Sequence, residues 1–233
     1  MIPRTDLHMH SQFSPCSVNT TIADNVRVAK EKGLKVIAIT DHGTCKRPEW
    51  FNTYLREIER IRGKENIIIL KGMEVDVDID GNLVVDKELL RELDVIIAAL
   101  HRWPGIGGSA LYKWWVKTIR KVAEEGIAWI LAHPTDVGWM KLEPPLEYIA
   151  EVIDIIKETD MIIEINYHHK DPNDEFLRLC IERKVKMTPT SDAHKLEEIG
   201  NFNWYIERIT KLGFKTNEVN WLSVDELLRR LNL

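Results

Sequence analysis

Short apolar runs recur along the chain, near Thr5–His8, Val36–Thr40, Ile67–Val75, Val95–Leu100, Ala128–Ala132, Met161–Asn166 and Lys186–Thr190. Most are continuous or β-branched rather than alternating, the pattern of strands buried on both faces of a parallel sheet. Helical periods fit between them. Thr21 with Asp24 forms a capping box ahead of Ile22, Val26 and Ala29, and Gly33 is a natural stop. Phe51, Leu55 and Ile58 keep helical spacing before Gly63. Further helices are predicted over Ser109–Glu125, Glu147–Glu158 and Asp174–Arg183, and a last one starts at Ser223 and bears Leu227, Leu228 and Leu231. The segment from Val75 to Val85, around Asp80-Gly81, reads as a small hairpin. Strands alternating with helices predict a parallel α/β fold, as a barrel or as an open doubly wound sheet. No glycine-rich phosphate loop follows the first run, which weakens a dinucleotide-binding reading. With no linker, repeat or low-complexity segment, residues 1–233 are expected to form one domain.

The polar residues are placed more tellingly than the apolar ones. His8 and His10 end the first run, Asp41-His42 follow the second and Glu74 ends the third. His101 and His133 close the fourth and fifth, Tyr167-His168-His169 follow the sixth, and Asp192 and His194 follow the seventh. In a parallel barrel these C-terminal ends share one mouth, where such barrels carry their sites. Residues at i and i+2 of a strand point the same way, so His8 with His10, and Asp192 with His194 if the backbone stays extended, would each present a pair. A lone histidine after a strand is more often a cap or a satisfied core group. Seven in one register are a different matter, and imidazole with carboxylate suits zinc, manganese or iron. Glu74 could bridge two ions, a pair of which can hold both oxygens of a displacement.

Composition narrows the classes. Lys plus Arg number 32 and Asp plus Glu 37, a formal charge of −5, which leaves no excess of positive charge for a polybasic nucleic-acid binder. Hydrophobic residues make up 44% and recur throughout, against disorder. The longest apolar runs, Val95–Leu100 and Ile127–Ala132, are far short of the ~20 residues a membrane helix needs. Asp6, His8 and His10 fall where a signal peptide would need an apolar core. Cys16, Cys45 and Cys180 are too few and too scattered for a disulfide framework, so a cytoplasmic setting is expected, with Cys180 a buried apolar residue among Phe176, Leu177 and Ile181. A single glutamine, Gln12, in a chain with 30% charged residues points to a thermophilic source.

The set Asp6-Leu7-His8-Met9-His10, Thr40-Asp41-His42-Gly43, Gly72-Met73-Glu74, His101, Ala132-His133-Pro134 and Ser191-Asp192-Ala193-His194 resembles the signature of the PHP (polymerase and histidinol phosphatase) superfamily, in order, over residues 6 to 194. The pieces are individually weak; the ordered set is specific. The resemblance implies a distorted seven-stranded (β/α)7 TIM-like barrel, and hydrolysis of a phosphate ester by metal-activated hydroxide at a centre of two or three divalent metal ions (Zn, Mn or Fe). Carried over by position, His8, His10, Glu74 and Asp192 hold one metal, Glu74 bridges to a second with His101 and His133, and His42 and His194 take a third. The third partner, six residues after His10, is His or Asp in many members and is Cys16 here. A thiolate there favours zinc over manganese, the alternative being an unligated Cys16 and a weak third site.

Asp192, His194 and Glu74 are the candidate catalytic residues, with proton transfer assigned to Asp192 or His194. Asp6 and Asp41 sit beside ligands and could orient an imidazole, or serve as caps or ion-pair partners. Arg102, His168 and Lys170 are the candidate substrate contacts, with His169 also near the mouth, whereas Lys46, Arg47 and Lys195 read as surface charges. Trp103 is expected to wall the pocket, and Trp50, Trp114, Trp115 and Trp129 to pack in the core. The leading expectation is a phosphatase for a small phosphorylated substrate, with histidinol phosphate the first candidate. The alternatives are a nuclease acting on DNA or RNA ends, disfavoured by the charge, and a non-catalytic metal-binding partner subunit. No membrane partner is expected.

Overall fold

The computed structural model describes residues 1–233. Its strands are β1 (Thr5–Asp6), β2 (Val36–Ile39), β3 (His42–Gly43), β4 (Ile68–Asp76), β5 (Val95–Ala99), β6 (Ile130–Leu131), β7 (Asp136–Val137), β8 (Met140–Lys141), β9 (Ile162–Asn166), β10 (Lys186–Thr190) and β11 (Asn220–Trp221). The helices are α1 (Ile22–Glu31), α2 (Phe51–Ile61), α3 (Gly108–Glu125), α4 (Leu146–Thr159), α5 (Asp174–Glu182), α6 (Phe202–Lys211) and α7 (Val224–Arg230). The sheet runs β1-β2-β4-β5-β6-β9-β10-β11, all parallel, with β3 beside β4. Beyond the strand ends, Met9 bridges Ala193, the His10 amide donates to Ala193 O (3.0 Å) and the Asp192 amide to His8 O (2.7 Å). The sheet therefore curls until its first strand meets β10, in the manner of a TIM-like barrel.

All seven apolar runs became strands of this path. The strand count nevertheless exceeds the expected seven, because β11 flanks β10 and β3 flanks β4. Both are two-residue pairings with no apolar run to announce them. The hairpin expected over Val75–Val85 is reduced to one antiparallel bridge, Val77 to Leu83. The predicted helices formed, with Thr21, Asn173 and Ser223 capping α1, α5 and α7 through their side chains. Helix α6 and the β7–β8 hairpin are additional. No helix is long and apolar enough to cross a membrane.

Strand alternation divides the interior. Val36 and Ala38, Leu70, Val95, Ile97 and Ala99, Ile130 and Ala132, and Ile162 pack together with Leu222 and Leu227 as an inner plug. Their neighbours Ile37, Ile39, Ile69, Ile96, Leu131, Ile163 and Ile165 face the helices in the larger cluster. Residues of one parity share a face, so on β4 the inward set starting at Leu70 continues as Gly72, Glu74 and Asp76, and on β9 the set starting at Ile162 continues as Glu164 and Asn166. The plug is thus apolar low in the sheet and acidic at the C-terminal ends.

Tyr54 of α2 ties two strands at this level. Its hydroxyl accepts from the Gly72 amide (2.7 Å) and lies 2.7 Å from Ile39 O and 2.8 Å from Gly72 O. Gly72 has no room for a side chain, since a Cβ would stand 2.5 Å from Thr40 Cγ2. Tyr54→Phe leaves the buried Gly72 N–H unpaired and is expected to cost about 1–3 kcal/mol, read by denaturant unfolding.

Candidate metal centre

Glu74, 1% exposed, stands at the middle of the mouth. Its Oε2 lies 2.7 Å from His42 Nδ1, 3.5 Å from His8 Nε2 and 3.6 Å from His10 Nε2. Its Oε1 lies 3.1 Å from His133 Nε2 and 3.2 Å from His101 Nε2. Asp192 Oδ1 faces the same space, 2.9 Å from His10 Nε2, 3.4 Å from His8 Nε2 and 3.6 Å from His194 Nδ1. Cys16 completes the rim, lining the same cavity as His42 and His194. Every residue nominated from the sequence for the metal cluster is therefore in one place. The i, i+2 pairing applies to His8 and His10, but extended geometry breaks at Asp192, whose φ is +51°. His133, at φ +25°, is the other residue here in the left-handed region.

Other side chains orient these imidazoles. His8 Nδ1 donates to Glu164 Oε2 (2.9 Å), His101 Nδ1 to Asp76 Oδ1 (2.9 Å), and His10 Nδ1 to Ser14 Oγ (3.0 Å), which in turn donates to Asp41 Oδ1 (2.7 Å). With those nitrogens protonated, the Nε2 lone pairs point into the centre, the arrangement that metal-binding histidines require. His8 Nε2, His42 Nδ1 and Glu74 Oε2 are buried and make no well-aligned hydrogen bond, although His42 Nδ1 and Glu74 Oε2 stand 2.7 Å apart. Buried polar atoms in native proteins are nearly always paired, so three converging orphans mark a place built for cations. The set of imidazoles, carboxylates and one thiol fits zinc, manganese or iron.

The electrostatics of the cluster agree with this. Burial opposes charge on His8 and His42, but their neighbours outweigh it: Asp192, Glu164 and Glu74 raise His8 well above its ordinary value, and Glu74 with the Cys16 thiol raises His42 to about 11. His101 is likewise brought up to about 9 against burial, chiefly by Glu74. Burial opposes ionisation of Glu74, yet His101, His42 and His8 hold it well below the usual carboxylate range. His10 instead falls to about 3, through burial and the neighbouring His42. Burial would raise the Cys16 thiol, but hydrogen bonds from His194 and His42 bring it down to about 6. A cation bound here would replace protons on these imidazoles and on the thiol.

Several side chains differ from expectation. Asp6 and Asp41 touch no imidazole directly: Asp6 accepts from the Ser191 amide (2.9 Å), and Asp41 accepts from Ser11 and Ser14. Burial lifts Asp6 to about 7. The acceptors that do orient imidazoles, Glu164 and Asp76, were not singled out. The available signal was a carboxylate at inward parity in an otherwise apolar run. Glu164 is fully buried and also accepts from the His133 amide (2.7 Å), Asn166 Nδ2 (2.6 Å) and Thr190 Oγ1 (2.9 Å). His169 lies deeper than expected, with Nδ1 2.7 Å from Asp136 Oδ2 and Nε2 3.4 Å from Asp192 Oδ2.

A cavity of about 310 Å³ opens over the cluster, lined among others by Cys16, His168, His169 and Lys195. His168 thus faces the site, its Nδ1 2.9 Å from Glu198 Oε1 and its ring stacked on His194 at 4.3 Å. Arg102 borders the adjoining cleft. Lys170 does not line the cavity: its ammonium sits over the Tyr167 ring, 3.1 Å from the centroid, and near Trp204. Lys195, read as a surface charge, does line it. Trp139 walls the mouth where Trp103 was expected, and Trp50 lines the adjoining cleft rather than lying wholly in the core.

A model of the PHP domain matches residues 6–168. A protein of Clostridium novyi named as a probable phosphatase is 31% identical over 212 residues, 85% of this chain and 82% of that protein. The DNA polymerase/3'-5' exonuclease PolX of Bacillus subtilis is 26% identical over 223 residues, 92% of this chain but 38% of that protein. Among solved structures, the histidinol phosphate phosphatase of Lactococcus lactis, complexed with zinc, L-histidinol and phosphate, aligns with a TM-score of 0.61 at 17% identity, over 92% of this chain and 95% of that one. That last likeness concerns the fold.

Proposed function

The chain belongs to the PHP domain family, as a metal-dependent phosphatase, and from that premise we propose that it releases phosphate from a small phosphate monoester, histidinol phosphate being the first candidate. The observation that carries the reading is Glu74, a buried carboxylate with both oxygens turned to imidazoles, Oε2 to His42, His8 and His10 and Oε1 to His101 and His133. In this reading His8, His10, Glu74 and Asp192 hold one divalent cation, Glu74, His101 and His133 a second, and Cys16, His42 and His194 a third. Such cations, when bound, supply Lewis-acid charge for the phosphoryl oxygens and make water acidic enough to react near neutral pH.

The chain's own groups do the rest. Glu164, Asp76 and the Ser14–Asp41 pair make Nδ1 the donor in His8, His101 and His10 and turn their Nε2 atoms toward the centre, where a cation would replace any proton. Asp192 Oδ2, held by Asn166 Nδ2 at 3.0 Å, is the atom best placed to take up a proton. His194 Nδ1 is committed to Asp192 O at 2.8 Å, so His194 serves as a ligand in this reading. His168, steadied by Glu198, offers a donor to the anionic ester at the mouth, and Arg102 borders the adjoining cleft.

Cys16→Ser is expected to weaken zinc at the third position at least about tenfold and manganese much less, because the soft thiolate is the ligand that discriminates. Chelator competition with the two metals measures this, and equal losses would count against a thiolate ligand. The substrate reading is tested by metal analysis coupled to phosphate release from histidinol phosphate, nucleoside monophosphates and an aryl phosphate. Metal-dependent release from one of them is expected; none from any, with metals bound, overturns it. The likeness to PolX keeps a nuclease reading as the second. Steep salt dependence of single-stranded DNA binding would favour it.

A further inference from the structure

We propose that Trp139, held over the site by the β7–β8 hairpin, is the specificity wall of a leaving-group subsite for phosphate esters of planar, aromatic alcohols. The inference rests on the phosphoester reading and adds the class of substrate.

The hairpin pairs Asp136 with Lys141 and Val137 with Met140, leaving Gly138-Trp139 as a two-residue loop. Both loop residues have positive φ, +54° and +62°. Tight hairpins of this kind favour Asn-Gly or Gly-Gly, since each central residue must enter the left-handed region. A tryptophan there is strained, and bulky residues are rarely found so. Burial does not compensate for it, because Trp139 is 73% exposed. The indole instead lies parallel to the His101 ring, 5.8 Å between centroids and 8° between planes. The loop is fixed from below: the Gly138 amide donates to Leu100 O (2.9 Å), and a Cβ at Gly138 would come within 3.0 Å of the Trp103 backbone.

Trp139 lines two spaces at once. One is the cavity over the metal cluster. The other is a cleft of about 550 Å³ that shares Cys16, His42, His101 and Trp139 with it; Phe13, Pro15 and Trp50 wall one part of it, and Thr44, Asp76 and Arg102 the rest. The cleft is large enough for a ring system. Its guanidinium, Arg102, is tied to Asp76 Oδ2 (Nε at 3.5 Å) and Thr44 O (3.3 Å). It therefore offers a flat guanidinium face more than an unpaired charge. A phosphoryl group at the cluster would put its leaving group into this cleft, against flat walls that favour a flat, uncharged ring.

The test compares benzyl phosphate with cyclohexylmethyl phosphate, which share a carbon framework and differ in planarity. In the metal-loaded wild type, kcat/KM is expected to favour the benzyl ester roughly three- to tenfold, carried in KM. Trp139→Leu should erase the preference and Trp139→Phe restore it. Trp139→Gly should erase it while raising Tm by about 2–4 °C, because glycine relieves the strained φ. The non-hydrolysable benzylphosphonate and cyclohexylmethylphosphonate, titrated calorimetrically, should show the same ratio in binding. This readout survives if no ester is turned over, so failure of the phosphatase reading is seen separately. Equal treatment of the two esters and the two phosphonates, or an undiminished preference in Trp139→Leu, overturns the proposal. A lowered Tm in Trp139→Gly would mark the indole as structural and overturn it too.

Discussion

Glu74→Ala is expected to reduce phosphate release by more than about a thousandfold, the scale on which loss of transition-state charge stabilisation is felt. The same substitution should remove at least one equivalent of bound metal. Glu74 is the one carboxylate that faces His8, His10, His42, His101 and His133 together. Without it, two proposed cation positions lose their shared ligand, and several buried imidazoles lose the counter-charge that holds protons on them. Glu74→Gln keeps the volume and serves as the folding control. It should retain native circular dichroism while losing metal and turnover. An active and fully metallated Glu74→Ala would sink the assignment.

Glu164→Ala carries the second largest effect, and it acts first on stability. The side chain accepts from His8 Nδ1, the His133 amide, Asn166 Nδ2 and Thr190 Oγ1 with no access to solvent. Removing it strands these donors and leaves a void, at a cost of about 3–5 kcal/mol to the stripped protein. Metal affinity should fall by about 10- to 100-fold as well, since His8 loses the acceptor that sets its tautomer. Denaturant unfolding of the stripped protein and metal competition read the two effects separately. A stable Glu164→Ala with unchanged metal affinity would show that His8 needs no such partner. The pH dependence follows from the same burial: Glu164 is held below its ordinary value, because the opposition of burial is outweighed by His8 and His133. Its contribution is therefore present at neutral pH and is lost as pH falls through the lowered folded value.

The strands and the gathering of His and carboxylate residues at their ends were legible from short-range rules, whereas the barrel and the grouping of ligands came with the family resemblance. A continuous apolar run such as Val95–Ala99 fits a strand buried on both faces, and a His, Asp or Glu at the end of each run points to a common mouth. The misses share a different physics. β3 and β11 are two-residue pairings created by tertiary proximity, not by any run. Trp139 was passed over because its importance comes from a turn conformation that Gly138-Trp139 does not advertise. Lys170 was nominated for its position after β9, but a left-handed φ of +56° and the Tyr167 ring carry its charge elsewhere. Asp76 and Glu164 were missed because they support the ligands from strand interiors, where parity, not proximity in sequence, decides what meets.

The central claim is that the buried His–carboxylate cluster holds the cations that make this chain a phosphatase. Its most direct test strips the protein with a chelator and titrates zinc back while metal content and phosphate release from the best monoester are followed together. Release should be absent at the start, rise with added zinc and saturate at two to three equivalents. Full release from the stripped protein, or zinc binding at saturation with no release from any monoester, would contradict it.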